Sequence, residues 1–241
     1  ISAYDENILY KIPLNLEEQD FDIKMLQSFG ERYRRTTGLK PWRDLVAKIE
    51  AIDRKLDVGM IGKYQNTGDF TLTDTYLSVI QSLKIAAWHQ GYNLNIHWVN
   101  AEDYEKNGNR LAELDSLDAV IVPGGFGERG IEGMIKAIEH ARTNQIPFLG
   151  LCYGLQLAVI EYSRNVLGLK DAHTTEINNQ TPHPVIHMLP EQARKLAEGD
   201  FGGSMRLGAY DAELVQGTIV QKLYGASKIS ERHRHRLEVN K

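Results

Sequence analysis

The 241-residue chain contains one cysteine, and its neighbours suit a nucleophile. Cys152 lies between Gly150 and Gly154, after the apolar run 146–149 and before a helical pattern of apolar residues. This order predicts a strand, a sharp turn and a helix, the geometry of a nucleophile elbow. Glycine at both flanking positions lets the backbone come close where a Cβ atom would clash. We expect the positive end of the helix dipole to lower the pKa of the thiol.

A buried structural cysteine is the alternative, because free cysteine is among the most buried residue types. Two observations favour the nucleophile over it: the paired glycines, and the change from strand to helix at Cys152.

A glycine-rich loop supplies candidate hydrogen-bond donors for this nucleophile. Residues 124–127, Gly-Gly-Phe-Gly, here called the glycine loop, follow a predicted buried strand, so their N–H groups can point at a bound group. The loop can also be only a tight turn, and it lacks the Gly-Lys-Ser/Thr ending of a phosphate-binding loop. Beside a cysteine elbow, it predicts an oxyanion hole with one N–H from Gly125 and one from Tyr153.

The sequence does not identify a general base, which is normally a histidine oriented by a carboxylate. Six of the eight histidines are interpreted as solvated or packed side chains: two lie on a predicted helix or strand (His89, His97), and the other four have no acidic residue at a suggestive spacing. These six are His89, His97, His140, His173, His183 and His187. The other two lie in the basic run 231–236, Glu-Arg-His-Arg-His-Arg. This run can be a solvated segment, a nucleic-acid patch or the source of a guanidinium that grips a carboxylate. Glu176 can likewise receive an ammonium group.

The composition is that of an ordinary globular protein. Charged residues make up 25% and hydrophobic residues 42%, and the net charge of −4 gives no basic bias toward nucleic acid. A single cysteine excludes an intrachain disulfide framework and a cysteine-rich zinc site, and it suits a reducing compartment. The sequence shows no apolar run of about 18 residues and no signal-peptide pattern. We therefore expect a cytoplasmic protein with no nucleic-acid partner, no membrane association and no metal site.

The pattern of the chain changes near residue 56. Residues 1–55 carry charged clusters and two predicted amphipathic helices, over 17–29 and 42–52. From residue 56 onward, short apolar strands alternate with helices of 10 to 15 residues. The predicted strands cover 58–61, 94–99, 119–122 and the run that enters Cys152, and the predicted helices include 75–90 and 132–142.

This alternation predicts an α/β fold, a doubly wound, mostly parallel open sheet with helices on both faces, as in flavodoxin. In such sheets, ligands bind beyond the carboxyl ends of the strands. Cys152 and the glycine loop are both predicted to lie there.

Several runs of residues together resemble the class I glutamine amidotransferase domain of the CTP synthase family. These runs are 62–64, 74–80, 122–130, 150–156, 164–165, 175–176, 202–208 and 231–236. The cysteine elbow is shared by all class I amidotransferases, whereas 202–208 (Gly-Gly-Ser-Met-Arg-Leu-Gly) and 231–236 point to this one family. The resemblance covers 57–241, and 8–13 resembles the end of the family's synthetase domain. It thus implies that 1–55 is the tail of that domain with a helical linker, and that 56–241 is the amidotransferase domain.

The resemblance implies a reaction and a set of site residues. Cys152 would attack the side-chain amide of glutamine, giving a glutamyl thioester and ammonia. The implied glutamine-binding residues are Gly125, Tyr153, Gly154, Leu155, Gln156, Glu176 and Arg236. Gly125 and Tyr153 would also serve the oxyanion, and Glu176 and Arg236 would hold the amino-acid end of the substrate.

The complete enzyme is implied to use its ammonia in a synthetase domain, which activates UTP with ATP and magnesium and makes CTP. No cofactor is expected in these 241 residues. The resemblance also implies a homotetramer, formed mainly through the synthetase domain.

The sequence departs from the family in two ways. No His-Pro-Glu motif, the family's source of the base and its orienting carboxylate, occurs in these 241 residues, and most of the synthetase domain is absent. We therefore expect this piece alone to be inactive or weakly active, lacking a C-terminal strand. The loop 65–72 also looks long for the family and has no assigned role. A degenerate, non-catalytic module and an unrelated cysteine hydrolase on a similar elbow are the alternatives.

Overall fold

Helices make up the first part of the chain. The computed structural model describes residues 1–32, 38–63, 66–67, 70–71, 73–199 and 206–240. The first helices are α1 (Ile12–Glu18), α2 (Phe21–Ser28) and α3 (Lys40–Glu50). α3 confirms the helix predicted over 42–52. The prediction of one continuous helix over 17–29 is wrong. Asp20 adopts a left-handed backbone conformation with φ 53°, and it separates α1 from α2. Aspartate is one of the few residues that visit this conformation readily.

Strands and helices alternate after Leu56, as the sequence predicts. In chain order they are β1 (Lys55–Gly62), β2 (Asn66–Thr67), β3 (Phe70–Thr71), α4 (Leu77–His89), β4 (Asn93–Asn100), α5 (Ala101–Lys106), β5 (Ala119–Val122), α6 (Ile131–Thr143), β6 (Phe148–Gly150), α7 (Tyr153–Asn165), β7 (Ala172–Thr174), β8 (His183–Met188), α8 (Pro190–Ala197), β9 (Arg206–Glu213), α9 (Ile219–Tyr224), β10 (Lys228–His235) and β11 (Leu237–Val239).

The central sheet has the strand order β4-β1-β5-β6. β1 pairs with β5 in parallel, with Val58 opposite Ala119, and β5 pairs with β6 in parallel, with Val120 opposite Phe148. Buried apolar residues of β1 and β5 pack with buried residues of α6 and α7 in one core. This arrangement confirms the predicted α/β fold with a mostly parallel sheet. It also brings the carboxyl ends of β1, β5 and β6 to one edge.

A second layer of strands lies against α7. β7 and β8 pair in parallel, β11 pairs antiparallel to β8, and β9 and β10 form a separate antiparallel pair. α7 contacts β5 and β6 of the central sheet as well as β7, β8 and β11. Strands that come from distant parts of the sequence therefore meet on α7.

An ion pair joins α6 to α7. Arg142 donates to Glu161 from both Nε and Nη2, at 3.0 and 2.7 Å, and the Glu161 side chain is 1% exposed. A buried carboxylate needs such a partner, because an unpaired buried charge is strongly destabilising. The pair fixes the two helices that pack beside the central sheet.

The described residues form two compact units. Ile1–Leu56 and Ser78–Asn95 make up the first, and Asp57–Leu77 with the chain from Ile96 onward make up the second. The division into 1–55 and 56–241 stays a prediction, since α4 belongs to the first unit. In the loop 65–72, β2 and β3 pair with each other, and residues 65, 68, 69 and 72 lie outside the described residues. No helix among the described residues is both long and apolar enough to cross a membrane.

Candidate active site

Cys152 lies on a sharp turn between β6 and α7. Its backbone has φ 53° and ψ −104°, and α7 begins at the next residue, Tyr153. A positive φ is costly for a residue with a side chain, about 1–3 kcal/mol, and such strain is concentrated at functional sites. The structure thus confirms the predicted strand, turn and helix, and it shows Cys152 as an exposed residue. This result does not fit the alternative of a buried structural cysteine.

The two flanking glycines are required by close backbone packing. A Cβ atom on Gly154 would lie 2.0 Å from the carbonyl oxygen of Val122, at the end of β5. A Cβ atom on Gly150 would lie 2.7 Å from the carbonyl carbon and oxygen of Gly154. Both distances are far inside van der Waals contact, so the prediction of a crowded turn is confirmed. The first turn of α7 can sit at the edge of the sheet because these side chains are absent.

Two backbone N–H groups point at the sulfur of Cys152. They belong to Tyr153, at the start of α7, and to Gly125, in the glycine loop that follows β5. At the first residue of this loop, a Cβ atom on Gly124 would lie 3.4 Å from the Cβ atom of Cys152. The sheet therefore brings the loop and the elbow into direct contact.

The pKa of the Cys152 thiol is raised above its ordinary value. Although the residue as a whole is exposed, the partial loss of water around its sulfur is the largest cause; the N–H groups of Tyr153 and Gly125 lower the pKa, and the carboxylate of Glu176 raises it. The predicted lowering is wrong, because the loss of water around the sulfur outweighs the N–H groups at the start of α7. A nucleophile with a raised pKa needs a group that takes its proton.

His235 is the histidine that the described structure places against Cys152. Its Nε2 atom lies 3.2 Å from the Cys152 sulfur. The contact follows from the docking of β11 on α7, where Gln156 Nε2 donates to the carbonyl oxygen of Leu237 at 3.2 Å. Gln156 is one helical turn after Cys152, and Leu237 is two residues after His235, so the two contacts lie side by side.

The sequence did not indicate His235 as the partner of Cys152, because the two lie 83 residues apart in the chain. The only available signal was the alternation in the run 231–236. In a strand, this spacing puts His233 and His235 on one face, and their rings are 5.5 Å apart in the structure. Of the alternatives left open for this run, a segment solvated throughout does not fit His235, which is half-buried.

Glu176 reaches the glycine loop. Its Oε1 atom accepts a hydrogen bond from the N–H of Gly127 at 2.8 Å. The carbonyl oxygen of Gly127 accepts two more, from Lys63 Nζ at 2.7 Å and from Tyr153 Oη at 2.9 Å. The end of the loop is thus held from three directions.

The remaining predicted site residues occupy different environments. Leu155 is 53% exposed, whereas Gln156 is 8% exposed, its side chain turned to β11. Arg236 lies at the bend between β10 and β11, where its carbonyl oxygen accepts from the N–H of Leu189. It directly follows His235 in the chain. Residues 202–205 of the predicted run 202–208 lie outside the described residues.

Two other histidines have acidic partners that their sequence spacing did not indicate. His97 Nε2 lies 2.6 Å from Asp57 Oδ1, and His140 Nε2 lies 2.6 Å from Asp115 Oδ1. The partners are 40 and 25 residues away in the sequence, so the search for acidic neighbours overlooked them.

Comparisons with known proteins identify the family to which the chain belongs. The glutamine amidotransferase class-I family matches residues 71–241. The whole chain is 45% identical over 240 residues to a CTP synthase of Thermococcus gammatolerans and 46% identical over 240 residues to a CTP synthase of Pyrococcus furiosus. It spans 43% of the length of each of these relatives.

A solved structure is similar as well. It is described as the glutaminase domain of Trypanosoma brucei CTPS with bound acivicin. The TM-score is 0.68 at 37% sequence identity, and the match covers 77% of this chain and 69% of that one. These matches confirm the resemblance predicted from the motifs, and the chain belongs to the class I glutamine amidotransferase family.

Proposed function

We propose that this amidotransferase domain, as part of the full-length protein, hydrolyses the side-chain amide of glutamine through a thioester on Cys152. The observation that carries the proposal is the convergence on one sulfur: a strained elbow, two backbone N–H groups and a histidine nitrogen. Nucleophile, proton acceptor and oxyanion donors are the three parts that acyl transfer requires.

The reaction begins when the Cys152 sulfur attacks the amide carbon of glutamine. A carbon–sulfur bond forms, and the carbonyl oxygen becomes negative. The N–H groups of Gly125 and Tyr153 stabilise that oxygen, and each such donor contributes about 3 kcal/mol to the transition state. When the carbon–nitrogen bond breaks, ammonia leaves and a thioester remains. Water then attacks the thioester, giving glutamate and the free thiol.

His235 is the proposed proton carrier among the described residues. It takes the thiol proton as sulfur attacks and gives a proton to the departing nitrogen, so that ammonia can leave. The raised pKa of Cys152 makes this transfer necessary, because most of the thiol is protonated at neutral pH. Proton transfer of this kind contributes about 10²–10⁴-fold to the rate.

The amino-acid end of glutamine carries one positive and one negative group. Glu176 is proposed to bind the ammonium group, since its carboxylate lies at the glycine loop beside Cys152. Arg236 is proposed to bind the carboxylate, because it neighbours His235 and a guanidinium can grip a carboxylate with two hydrogen bonds. The run Tyr153 to Gln156 would line the site along the first turn of α7.

We extend the proposal to the fate of the ammonia. The relatives are CTP synthases, and the chain spans less than half of their length. In the complete protein, ammonia from Cys152 would feed the ATP-dependent amination of UTP in a synthetase domain. The nucleotides and magnesium would bind there. Among the described residues, no group of three or more His, Cys, Asp and Glu side chains is arranged to hold a metal ion.

The proposal is tested by labelling and turnover in the full-length natural protein. A chloromethyl ketone analogue of glutamine is expected to label Cys152, free glutamine should slow the labelling, and glutamate should be released from glutamine. Cys152→Ala should abolish both the label and glutamate release. Labelling that glutamine does not slow, together with no glutamate release, would contradict the proposal and favour a non-catalytic module.

A further inference from the structure

A buried lysine lies beneath the glycine loop. Lys63 directly follows β1, at the carboxyl edge of the sheet and next to β5, whose end leads into the loop. The residue is 4% exposed, and its Nζ atom donates to the carbonyl oxygen of Gly127 at 2.7 Å. It also lies over the ring of Tyr153, with Nζ 5.0 Å from the ring centre. Lys63 therefore contacts both segments that supply N–H groups to the Cys152 sulfur.

An ammonium group in this position is costly. Burial lowers the pKa of Lys63 to about 8, with a further lowering by Arg129, while Glu176 and Glu105 raise it. An apolar side chain of similar length would fill the space without the loss of hydration. Unlike such an apolar side chain, Lys63 donates a hydrogen bond to the carbonyl oxygen of Gly127.

Hydrogen bonds to Gly127 restrict the conformation of the glycine loop at its end. Gly127 has φ +73°, and its two polar groups are bound by Glu176 on one side and by Lys63 and Tyr153 on the other. A segment of three glycines in four residues has large conformational freedom unless contacts restrict it. Oxyanion donors accelerate a reaction only when they are already aligned before the charge develops.

The backbone of Lys63 is itself fixed from a second side. Arg129, two residues after Gly127, donates from Nη2 to the carbonyl oxygen of Lys63 at 2.5 Å. Its Nε lies 3.3 Å from Glu102 Oε1 at the start of α5. Lys63 and the segment 127–129 therefore hold each other through two hydrogen bonds that run in opposite directions.

We infer that Lys63 is a positioning residue, which aligns the N–H of Gly125 with the oxyanion by holding the carbonyl group of Gly127. The inference rests on the proposed glutaminase function. Lys63 does not touch the reacting atoms in this role, and it acts through the loop.

A matched set of variants in the full-length protein tests the inference. Lys63→Met keeps the length but removes the hydrogen bond, Lys63→Gln keeps a donor without the charge, and Lys170→Met changes an exposed lysine. For Lys63→Met we expect kcat for glutamine hydrolysis to fall about 10- to 100-fold, less than the loss of a whole oxyanion donor. The KM of Lys63→Met for glutamine should differ from the wild-type value by less than about threefold. The kcat of Lys63→Gln should be at least about threefold higher than that of Lys63→Met. Lys170→Met should match the wild type.

Two controls separate positioning from damage to the fold. Alkylation of Cys152 by iodoacetamide needs no oxyanion hole, so in Lys63→Met it should slow far less than glutamine hydrolysis, only by the rise in thiol pKa that follows when the N–H of Gly125 is misaligned. Thermal melting should show a folded protein. Tyr153→Phe removes the second donor to the carbonyl oxygen of Gly127. In a protein that carries this change, Lys63→Met should therefore lower kcat by a larger factor than it does in the wild type.

Three results would overturn the inference: an unchanged kcat in Lys63→Met, an equal fall in alkylation and hydrolysis, or strictly additive effects with Tyr153→Phe. A wild-type protein that releases no glutamate would instead contradict the proposed function.

Discussion

At the scale of single residues, the reactivity of Cys152 is set by opposing contacts. Burial of its sulfur and the negative charge of Glu176 raise the thiol pKa, whereas the N–H groups of Tyr153 and Gly125 lower it. The same carboxylate is proposed to bind the substrate's ammonium group. A charge that is proposed to help binding therefore hinders ionisation of the Cys152 thiol, and the two effects can be measured separately.

Glu176→Gln is predicted to have opposite effects on these two properties. The variant keeps an oxygen that can accept from Gly127 but removes the charge, so the thiol pKa should fall. Alkylation of Cys152 by iodoacetamide at pH 7 should become faster. The KM for glutamine should rise about tenfold or more, because a hydrogen bond to a charged group is lost. Glu191→Gln, an exposed position on α8, serves as the control for both measurements. Slower alkylation, or an unchanged KM, would contradict the assigned role of Glu176.

His235→Gln is predicted to slow glutamine hydrolysis by about 10²-fold or more, because glutamine cannot carry a proton. The decline of kcat/KM on the acidic side of its pH profile should change as well, since protonation of a general base causes such a decline. His233→Gln, two residues earlier on the same strand, is the matched control and should stay close to the wild type. If His235→Gln keeps the wild-type rate and pH profile, the proton carrier is another residue.

At the scale of elements, the site depends on how closely α7 approaches the ends of β5 and β6. The approach is possible because Gly150 and Gly154 leave no Cβ atom between the backbones. The docking of β11 on α7 through Gln156 then sets the position of His235. The packing that places the first turn of α7 against the sheet therefore also places the surface on which β11 docks and brings His235 to Cys152.

Gly154→Ala is predicted to disturb this packing. The new Cβ atom would lie 2.0 Å from a backbone oxygen of β5, which cannot move aside as a side chain can. We expect a loss of about 3 kcal/mol in the free energy of unfolding, the upper end of the range for overpacked sites. Chemical denaturation measures this loss. Gly108→Ala, where nothing lies within 4 Å of the added Cβ, should cost far less. Equal stability of the two variants would show that the elbow tolerates a side chain.

At the scale of the whole molecule, the chain is similar to less than half of each CTP synthase relative. The described residues contain the parts of the proposed glutaminase site, and the proposed amination of UTP belongs to the complete protein. If two chemistries occupy separate domains, a change at one should leave the other intact.

Cys152→Ala in the complete protein is predicted to abolish CTP formation from glutamine and to spare CTP formation from added ammonium salts. Ammonia supplied from solution makes the thioester unnecessary, so only the first activity needs the sulfur. CTP formation is measured with each nitrogen source in turn, and the wild-type protein should use both. Loss of both activities in the variant would contradict the separation of the two sites.

The fold class and the elbow could be predicted because their signals are local. The alternation of apolar strands with helices of 10 to 15 residues indicated the parallel sheet, and the spacing of Gly150, Cys152 and Gly154 indicated the turn. Short-range sterics decide such features, so neighbouring residues are enough to reveal them. The break at Asp20 was not predicted, since a single left-handed residue leaves little trace in an amphipathic pattern.

The sequence alone determined which residue is the proposed nucleophile and which loop faces it, since the topology of a parallel sheet brings the carboxyl ends of its strands to one edge. Only the tertiary structure decided the partner of Cys152 and the direction of its pKa shift. His235 arrives from 83 residues away through strand pairing. The pKa is raised because desolvation depends on every atom that surrounds the sulfur, and those atoms come from segments that meet only in the folded chain.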